Sequence, residues 1–218
     1  MPMQSHDSPS PAPIAIGEEA PNFTARSTQG MISLSDYRGR WLVLFSHPAD
    51  FTPVCTSEFM AIAHAAPRFE ALGCARLALS VDSLFSHFAW LRMIRDSHGV
   101  TIDFPILEDP TLEIARAYGM VPPDAADASA VRATYFLDPQ GILRASTFYP
   151  ATIGRSVDEM LRIVAALQRV AGGDLLAPEG WQPGGDLLAM PPQDAADVLG
   201  AQGATDWFYR RVADRGDA

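Results

Sequence analysis

The chain has 218 residues, of which 48% are hydrophobic and 19% charged, a composition that supports one good core with a small appendage. Its formal net charge of −10 argues against nucleic acid and anionic membranes as partners, because both demand clustered positive charge. Its 16 basic residues are all arginine, which leaves no lysine for Schiff-base chemistry or a phosphate-loop motif.

Residues 1–13, rich in Ser, Pro and Ala, read as a flexible tail. They lack the basic region followed by an apolar core that a secretory signal would show. Elsewhere no apolar run approaches the roughly 20 residues of a membrane helix. Ile14 to Ser33 reads as short strands around a hairpin-like turn at Gly30. Trp41 to Ser46 is a continuous apolar run, as expected of a central strand covered on both faces. A helix follows from Pro53, with Phe59, Ile62, Ala63, Ala66 and Phe69 on one stripe, and ends at Gly73. Ala75 to Val81 is the next buried strand. Asp82 and Ser83 cap a helix running to about Ser97.

Phe104 to Leu107 suggests a short strand, and Pro110 opens a helix ending at Tyr118-Gly119. Val121 to Ala130 reads as a loop. Two strands, Arg132 to Leu137 and Ile142 to Phe148, flank the turn Asp138-Pro139-Gln140-Gly141. Ser156 with Glu159 forms a capping box for a helix through Val170. The order β-α-β-α-β-α-β-β-α after an N-terminal hairpin predicts an α/β thioredoxin-like domain over 14–173. Residues 174–218 change in composition and read as a small C-terminal extension, with short helical stretches near Gln193–Leu199 and Thr205–Ala213. Trp181, Trp207, Phe208 and Tyr209 offer it anchors for a subunit contact.

The turn from Ser46 to Glu58 carries the chemistry. Thr52 stands as N-cap and Pro53 as first helical residue, where the missing N–H costs nothing. Cys55 then falls in the first helical turn, where backbone N–H groups and the helix dipole stabilise negative charge on sulfur. A second cysteine is absent from the Cys-x-x-Cys position, since Cys55 is followed by Thr56, Ser57 and Glu58. Dithiol exchange within the site is therefore unavailable. If Val54 to about Leu72 is one helix, its ends lie roughly 25 Å apart, too far for Cys55 to pair with Cys74. Two unpaired cysteines suit a reducing compartment, so a cytoplasmic protein is expected. The spacing of His47, Cys55 and Glu58 matches no common metal-ligand set.

The run Pro48-x-x-x-Thr52-x-x-Cys55, within Ser-His-Pro-Ala-Asp-Phe-Thr-Pro-Val-Cys-Thr-Ser-Glu, resembles the peroxidatic motif of the peroxiredoxins. The likeness continues through Ala78-Leu79-Ser80-Val81-Asp82, His87-x-x-Trp90, Phe104-Pro105-Ile106, Arg132 to Asp138, and Tyr149-Pro150-Ala151-Thr152-x-Gly154-Arg155. Gly180-Trp181-Gln182-Pro183-Gly184 resembles the one-cysteine, peroxiredoxin-6-like branch. The resemblance implies a thiol peroxidase without metal or organic cofactor, acting on hydrogen peroxide or organic hydroperoxides through a cysteine sulfenic acid.

It also implies roles. Cys55 is the peroxidatic sulfur, Thr52 sets its hydroxyl between sulfur and peroxide, and Pro48 walls off solvent. Arg132 places its guanidinium beside the sulfur, with Glu58, His47 and Arg155 in support. Two-cysteine members carry a resolving cysteine in the C-terminal region, and this tail has none. An external reductant is therefore expected, such as thioredoxin, glutaredoxin or glutathione. The family also implies a homodimer, in some cases assembled to a decamer. A peroxide sensor or holdase chaperone using the same cysteine is the alternative reading.

Overall fold

The computed structural model describes residues 14–121, 132–200 and 206–214. The tail 1–13 and the loop read over Val121–Ala130, apart from Val121, lie outside them. The chain divides into two compact units, residues 1–157 and 158–218.

In the first unit the hairpin pairs β1 (Thr24–Ser27) with β2 (Gly30–Ser33), and Gly30 takes the φ of +101° that the turn requires. The remaining strands are β3 (Trp41–Ser46), β4 (Cys74–Ser80), β5 (Ile106–Glu108), β6 (Arg132–Leu137) and β7 (Leu143–Tyr149). They form one seven-stranded sheet in the order β2-β1-β5-β4-β3-β6-β7. β3, β4 and β5 run parallel, while β6 pairs antiparallel with β3 and β7 with β6. This is the predicted thioredoxin-like α/β arrangement.

The sequence pattern of β3 follows from its place between β4 and β6. Successive side chains alternate across a strand. Leu42 and Leu44 enter an apolar cluster with Leu77, Leu79, Tyr118 and Tyr135. Phe45, on the opposite face, packs edge-on against Phe59 at 5.7 Å and Phe104 at 5.6 Å. With both faces covered, no polar alternation survives. The β6–β7 turn is pinned by Asp138, whose Oδ1 accepts the N–H of Gln140 and of Ile142, both at 2.9 Å.

In the first unit two helices differ from their predicted spans. The helix after β3 is broken into α1 (Pro53–His64) and α2 (Ala66–Ala71) at Ala65. Pro67 explains the break, because it has no N–H to donate to Ala63 and its ring crowds that carbonyl. α3 (Leu84–His98) matches its predicted caps, with Ser83 Oγ accepting from Ser86 N–H at 3.3 Å and Gly99 closing it at φ +69°. α4 (Glu113–Ala117) starts later than Pro110. The Leu112 N–H bonds to the Asp109 carbonyl at 3.0 Å and Leu112 holds φ +61°, which makes residues 109–112 a turn.

The second unit holds most of α5 (Val157–Arg169), then β8 (Leu175–Leu176), β9 (Leu187–Ala189), α6 (Ala195–Gly200) and β10 (Arg211–Val212). Its strands form a small sheet ordered β10-β9-β8. Of the helix read over Thr205–Ala213, Thr205 lies outside the described residues, and 206–213 form instead a turn and β10, which pairs Arg211 with Leu188 and Val212 with Leu187. Strands of two residues carry no readable period, so pairing decides them. Trp181 is buried, its Nε1–H donating to the Gly185 carbonyl at 3.0 Å. Among the described residues no helix is long and apolar enough to cross a membrane.

Leu44 lies wholly inside the sheet. Leu44→Ala should cost about 2–5 kcal/mol in urea unfolding, whereas a loss below about 1 kcal/mol would contradict its place in the core.

Candidate active site

The end of β3 delivers the site. Ser46 Oγ accepts the Ala133 N–H at 3.1 Å, and His47 N–H donates to the Leu79 carbonyl at 3.0 Å. The strand end is thereby fixed to β6 and β4 before the chain turns. Thr52 is the N-cap residue, with extended backbone (φ −98°, ψ 146°), and its carbonyl accepts the Thr56 N–H at 2.9 Å. Its side chain does not cap, because the hydroxyl donates to the Ala49 carbonyl at 2.9 Å. The Thr52 oxygen therefore keeps its lone pairs as acceptors. Pro53 opens α1 and Cys55 sits in its first turn, with 0% of its surface exposed. Pro48 is half-buried within the turn.

Arg132 is the first residue of β6. Its Nη1–H donates to Cys55 Sγ at 3.2 Å and to Glu58 Oε2 at 2.8 Å. Nε and Nη2 both donate to the Ala151 carbonyl, at 3.1 and 2.8 Å. All three guanidinium nitrogens are thus engaged, and the fork cannot swing away from the sulfur.

Glu58, one turn beyond Cys55 on the same helix face, joins the two arginines. Its Oε1 accepts the Arg155 backbone N–H at 2.6 Å and Nε at 2.9 Å, and its Oε2 accepts Arg155 Nη2 at 2.9 Å. Arg155 also donates to the Ala133 carbonyl at 2.9 Å and lies over the Phe45 ring at 5.3 Å. Burial opposes ionisation of Glu58, but the hydrogen bonds and charge of Arg155, with Arg132 behind them, outweigh it and hold the carboxyl below its ordinary range. Two guanidiniums face one carboxylate and one sulfur. The cluster balances its charge when the sulfur is negative.

His47 makes its polar contact elsewhere. Its Nε2 is 3.0 Å from Asp50 Oδ1, and His87 Nδ1 of α3 is 2.7 Å from Asp50 Oδ2. Burial of Asp50 works against its charge, but hydrogen bonds from both imidazoles outweigh it and hold the carboxyl below the ordinary range. Burial also lowers the His47 pKa, against the opposing pull of Asp50. The Asp50 N–H donates to Asp82 Oδ2 at 2.7 Å, an oxygen that also accepts from Ser80 Oγ at 3.2 Å. His47, Asp50 and Asp82 group their ligand atoms within 4.8 Å of one another. The same atoms are engaged with one another and with His87 and Ser80, so the grouping is explained as a hydrogen-bond network of the turn.

The seven residues read from sequence fall into two buried networks or the turn between them: Cys55, Arg132, Glu58 and Arg155 in one, His47 in the other, and Pro48 and Thr52 in the turn. Asp50 and His87 were missed as a pair. The i, i+3 spacing of His47 and Asp50 was readable, but the contact across 37 residues to His87 was not. Also unread was Trp90 Nε1–H donating to Thr56 Oγ1 at 3.2 Å. Cys74, at the start of β4, is buried, and burial pushes its thiol up to about 12. Both cysteines are free.

Residues 16–146 match the AhpC/TSA family. A peroxiredoxin of Methanosarcina mazei is 42% identical over 207 residues, covering 88% of this chain and 94% of that protein. The fold superposes on peroxiredoxin 6 of Arenicola marina with a TM-score of 0.82 and 32% identity, covering 94% of this chain and 100% of that one. A yeast mitochondrial 1-Cys peroxiredoxin matches with a TM-score of 0.79 and 36% identity, covering 92% and 99%.

The buried groups set the response to acid. His47 is held below its ordinary 6.5, so the unfolded chain takes a proton that the folded one refuses, and stability should fall as pH drops through about 6.5. Glu58 and Asp50, both depressed, should add a second loss below about pH 4, with stability retained above that range. Urea titrations from about pH 8 to about pH 3 should show both limbs, and His47→Gln should remove only the upper one. A flat wild-type curve down to about pH 5 would contradict the assignment.

Proposed function

From the premise that the chain belongs to the AhpC/TSA family of peroxiredoxins, thiol peroxidase enzymes, we propose that it runs a one-cysteine cycle with an outside thiol as reductant. The observation that carries this reading is Arg132 Nη1 set 3.2 Å from Cys55 Sγ at the start of a helix, both fully enclosed.

In this reading the Cys55 sulfur, as the anion, attacks the terminal peroxide oxygen. The S–O bond forms as the O–O bond breaks, and the bonding pair leaves with the distal oxygen as alkoxide or hydroxide. That oxygen takes a proton and departs as alcohol or water, leaving Cys55 as sulfenic acid. Arg132 stabilises the negative charge that moves from sulfur to departing oxygen, a charge it meets already positioned. The Thr52 hydroxyl gives its own proton to Ala49 and offers an oxygen lone pair to the peroxide O–H. Pro48 excludes water from the turn. Glu58 and Arg155 hold Arg132 without touching substrate.

The return half needs a thiol that the chain does not supply. Cys74 is buried, and a thiol pushed up to about 12 yields little thiolate at neutral pH. The chain has no third cysteine. One external thiol displaces hydroxide from the sulfenic acid, giving a mixed disulfide and water. A second thiol then releases Cys55 and leaves as the disulfide. The yeast 1-Cys relative, resolved through glutathione/thioredoxin systems, supports donors of that class. Because Cys55 has no exposed surface, the first turn of α1 must open for that step. Two free cysteines suit a reducing compartment such as the cytosol. Residues 174–218 are proposed as a subunit-contact arm of a homodimer, or of a decameric ring of dimers, supported by Phe208 and Tyr209 standing exposed.

Cys55→Ser should abolish rapid peroxide consumption, and Cys74→Ser should leave it intact. Loss of activity in Cys74→Ser would overturn the one-cysteine cycle. Arg132→Met should slow the peroxide step by about 100- to 1,000-fold, as when one oxyanion donor is removed. Many turnovers per subunit with an added thiol support the cycle, while a single turnover with every donor would favour the sensor or holdase. Replacing Phe208 and Tyr209 with Asp should lower the mass found by sedimentation, and an unchanged mass would remove the arm from the assembly.

A further inference from the structure

The turn that carries Thr52 and Cys55 is strained and needs an external hold. Phe51, between Asp50 and Thr52, adopts φ +57°, a left-handed conformation that is costly for a bulky side chain. Its own side chain does not account for this, being 54% exposed. Such a backbone persists only where the surroundings over-determine it.

The fastening lies on the N-terminal side of Phe51. Asp50 is buried, its carboxylate accepts from His47 and His87, and its N–H is taken by Asp82. An ionised carboxylate accepts only, so each imidazole gives it the proton of the nitrogen that faces it. The other nitrogens, His47 Nδ1 and His87 Nε2, are buried without a hydrogen-bond partner among the described residues. Among the described residues Asp50 is therefore the sole polar tie of both rings. His47 belongs to the same stretch of chain as Asp50, so its bond ties the turn back only to the end of β3. His87 ties it to a separate element, because it sits in α3, 37 residues away.

We propose that His87 is a positioning residue, which through Asp50 clamps the strained turn to α3 and so keeps the first turn of α1 wound around Cys55. Winding presents the sulfur to Arg132 and encloses it. Opening exposes the sulfenic acid to an outside thiol. Strain at Phe51 favours opening, and the His87–Asp50 bond opposes it. Without His87 a buried charge keeps one imidazole in place of two, and the turn gains by moving toward water. His87 thus sets the balance between the two halves of the cycle, an inference that rests on the one-cysteine reading.

The test compares His87→Leu, which removes the donor, with His87→Asn, whose amide restores a donor near Nδ1. In His87→Leu the peroxide step should slow about tenfold, the scale of one hydrogen bond to a charge. Reduction of the Cys55 sulfenic acid by dithiothreitol should accelerate, and conversion to sulfinic acid at excess peroxide should fall. Hydrogen exchange should quicken at Cys55–Phe59 while the amides of β4 and β6 stay protected. His87→Asn should return all four readouts towards wild type. Both half-reactions unchanged, both slowed together with faster exchange across the sheet, or an Asn variant that behaves like Leu would each overturn the clamp. A wild-type enzyme that no external thiol reduces would defeat the one-cysteine reading instead, while the exchange measurement would still decide the clamp.

Discussion

A single buried carboxylate governs the chemistry of this molecule. Glu58 accepts four hydrogen bonds from two arginines that arrive from different parts of the chain, Arg132 from β6 and Arg155 from the segment after β7. Three of the four come from Arg155, so Glu58 and Arg155 form one fixed element against which Arg132 is set. A buried pair of this kind contributes little net stability, because desolvation offsets much of the attraction. Its value is orientation. It leaves Arg132 Nη1 no free direction except the line shared by Glu58 and Cys55.

That constraint explains why the sheet is ordered as it is. β6 lies beside β3, so Arg132 at the start of β6 stands next to the end of β3 and the helix that follows it. The parallel neighbour β4 lies on the other side and supplies Leu79 near its C-terminal end and Asp82 two residues beyond it. The nucleophile therefore occupies the point where the chain leaves the strand between an antiparallel and a parallel neighbour. Charge comes from one side and turn geometry from the other.

Much of this was legible in sequence because it is local. The uninterrupted run Trp41–Ser46 announces a doubly covered strand, Thr52-Pro53 announces a helix start, and Asp138 to Gly141 announces a hairpin. Cys55, Thr52 and Pro48 lie within eight residues and are read together. Arg132 and Arg155 were placed only by their resemblance to a family motif, since nothing in periodicity brings residues 77 and 100 positions away to one sulfur. The His87–Asp50 contact escaped for the same reason. The error at Ala65 was different. The apolar stripe continues across Pro67, and periodicity does not register a missing N–H. In the extension, β10 was read as helix because a two-residue strand leaves no pattern of its own.

The break at Ala65 bears on how far a disturbance at the nucleophile can spread. α1 has only 12 residues, a length at which a helix owes its persistence to packing more than to its own hydrogen bonds. Because Pro67 supplies no N–H, the ladder of α1 is not continuous with that of α2, and the two are separate cooperative segments. Fraying that begins at Pro53 meets a boundary before it reaches Phe69 or β4. The chain thus confines winding and unwinding to the three turns that carry the sulfur, and the proline acts as a mechanical fuse.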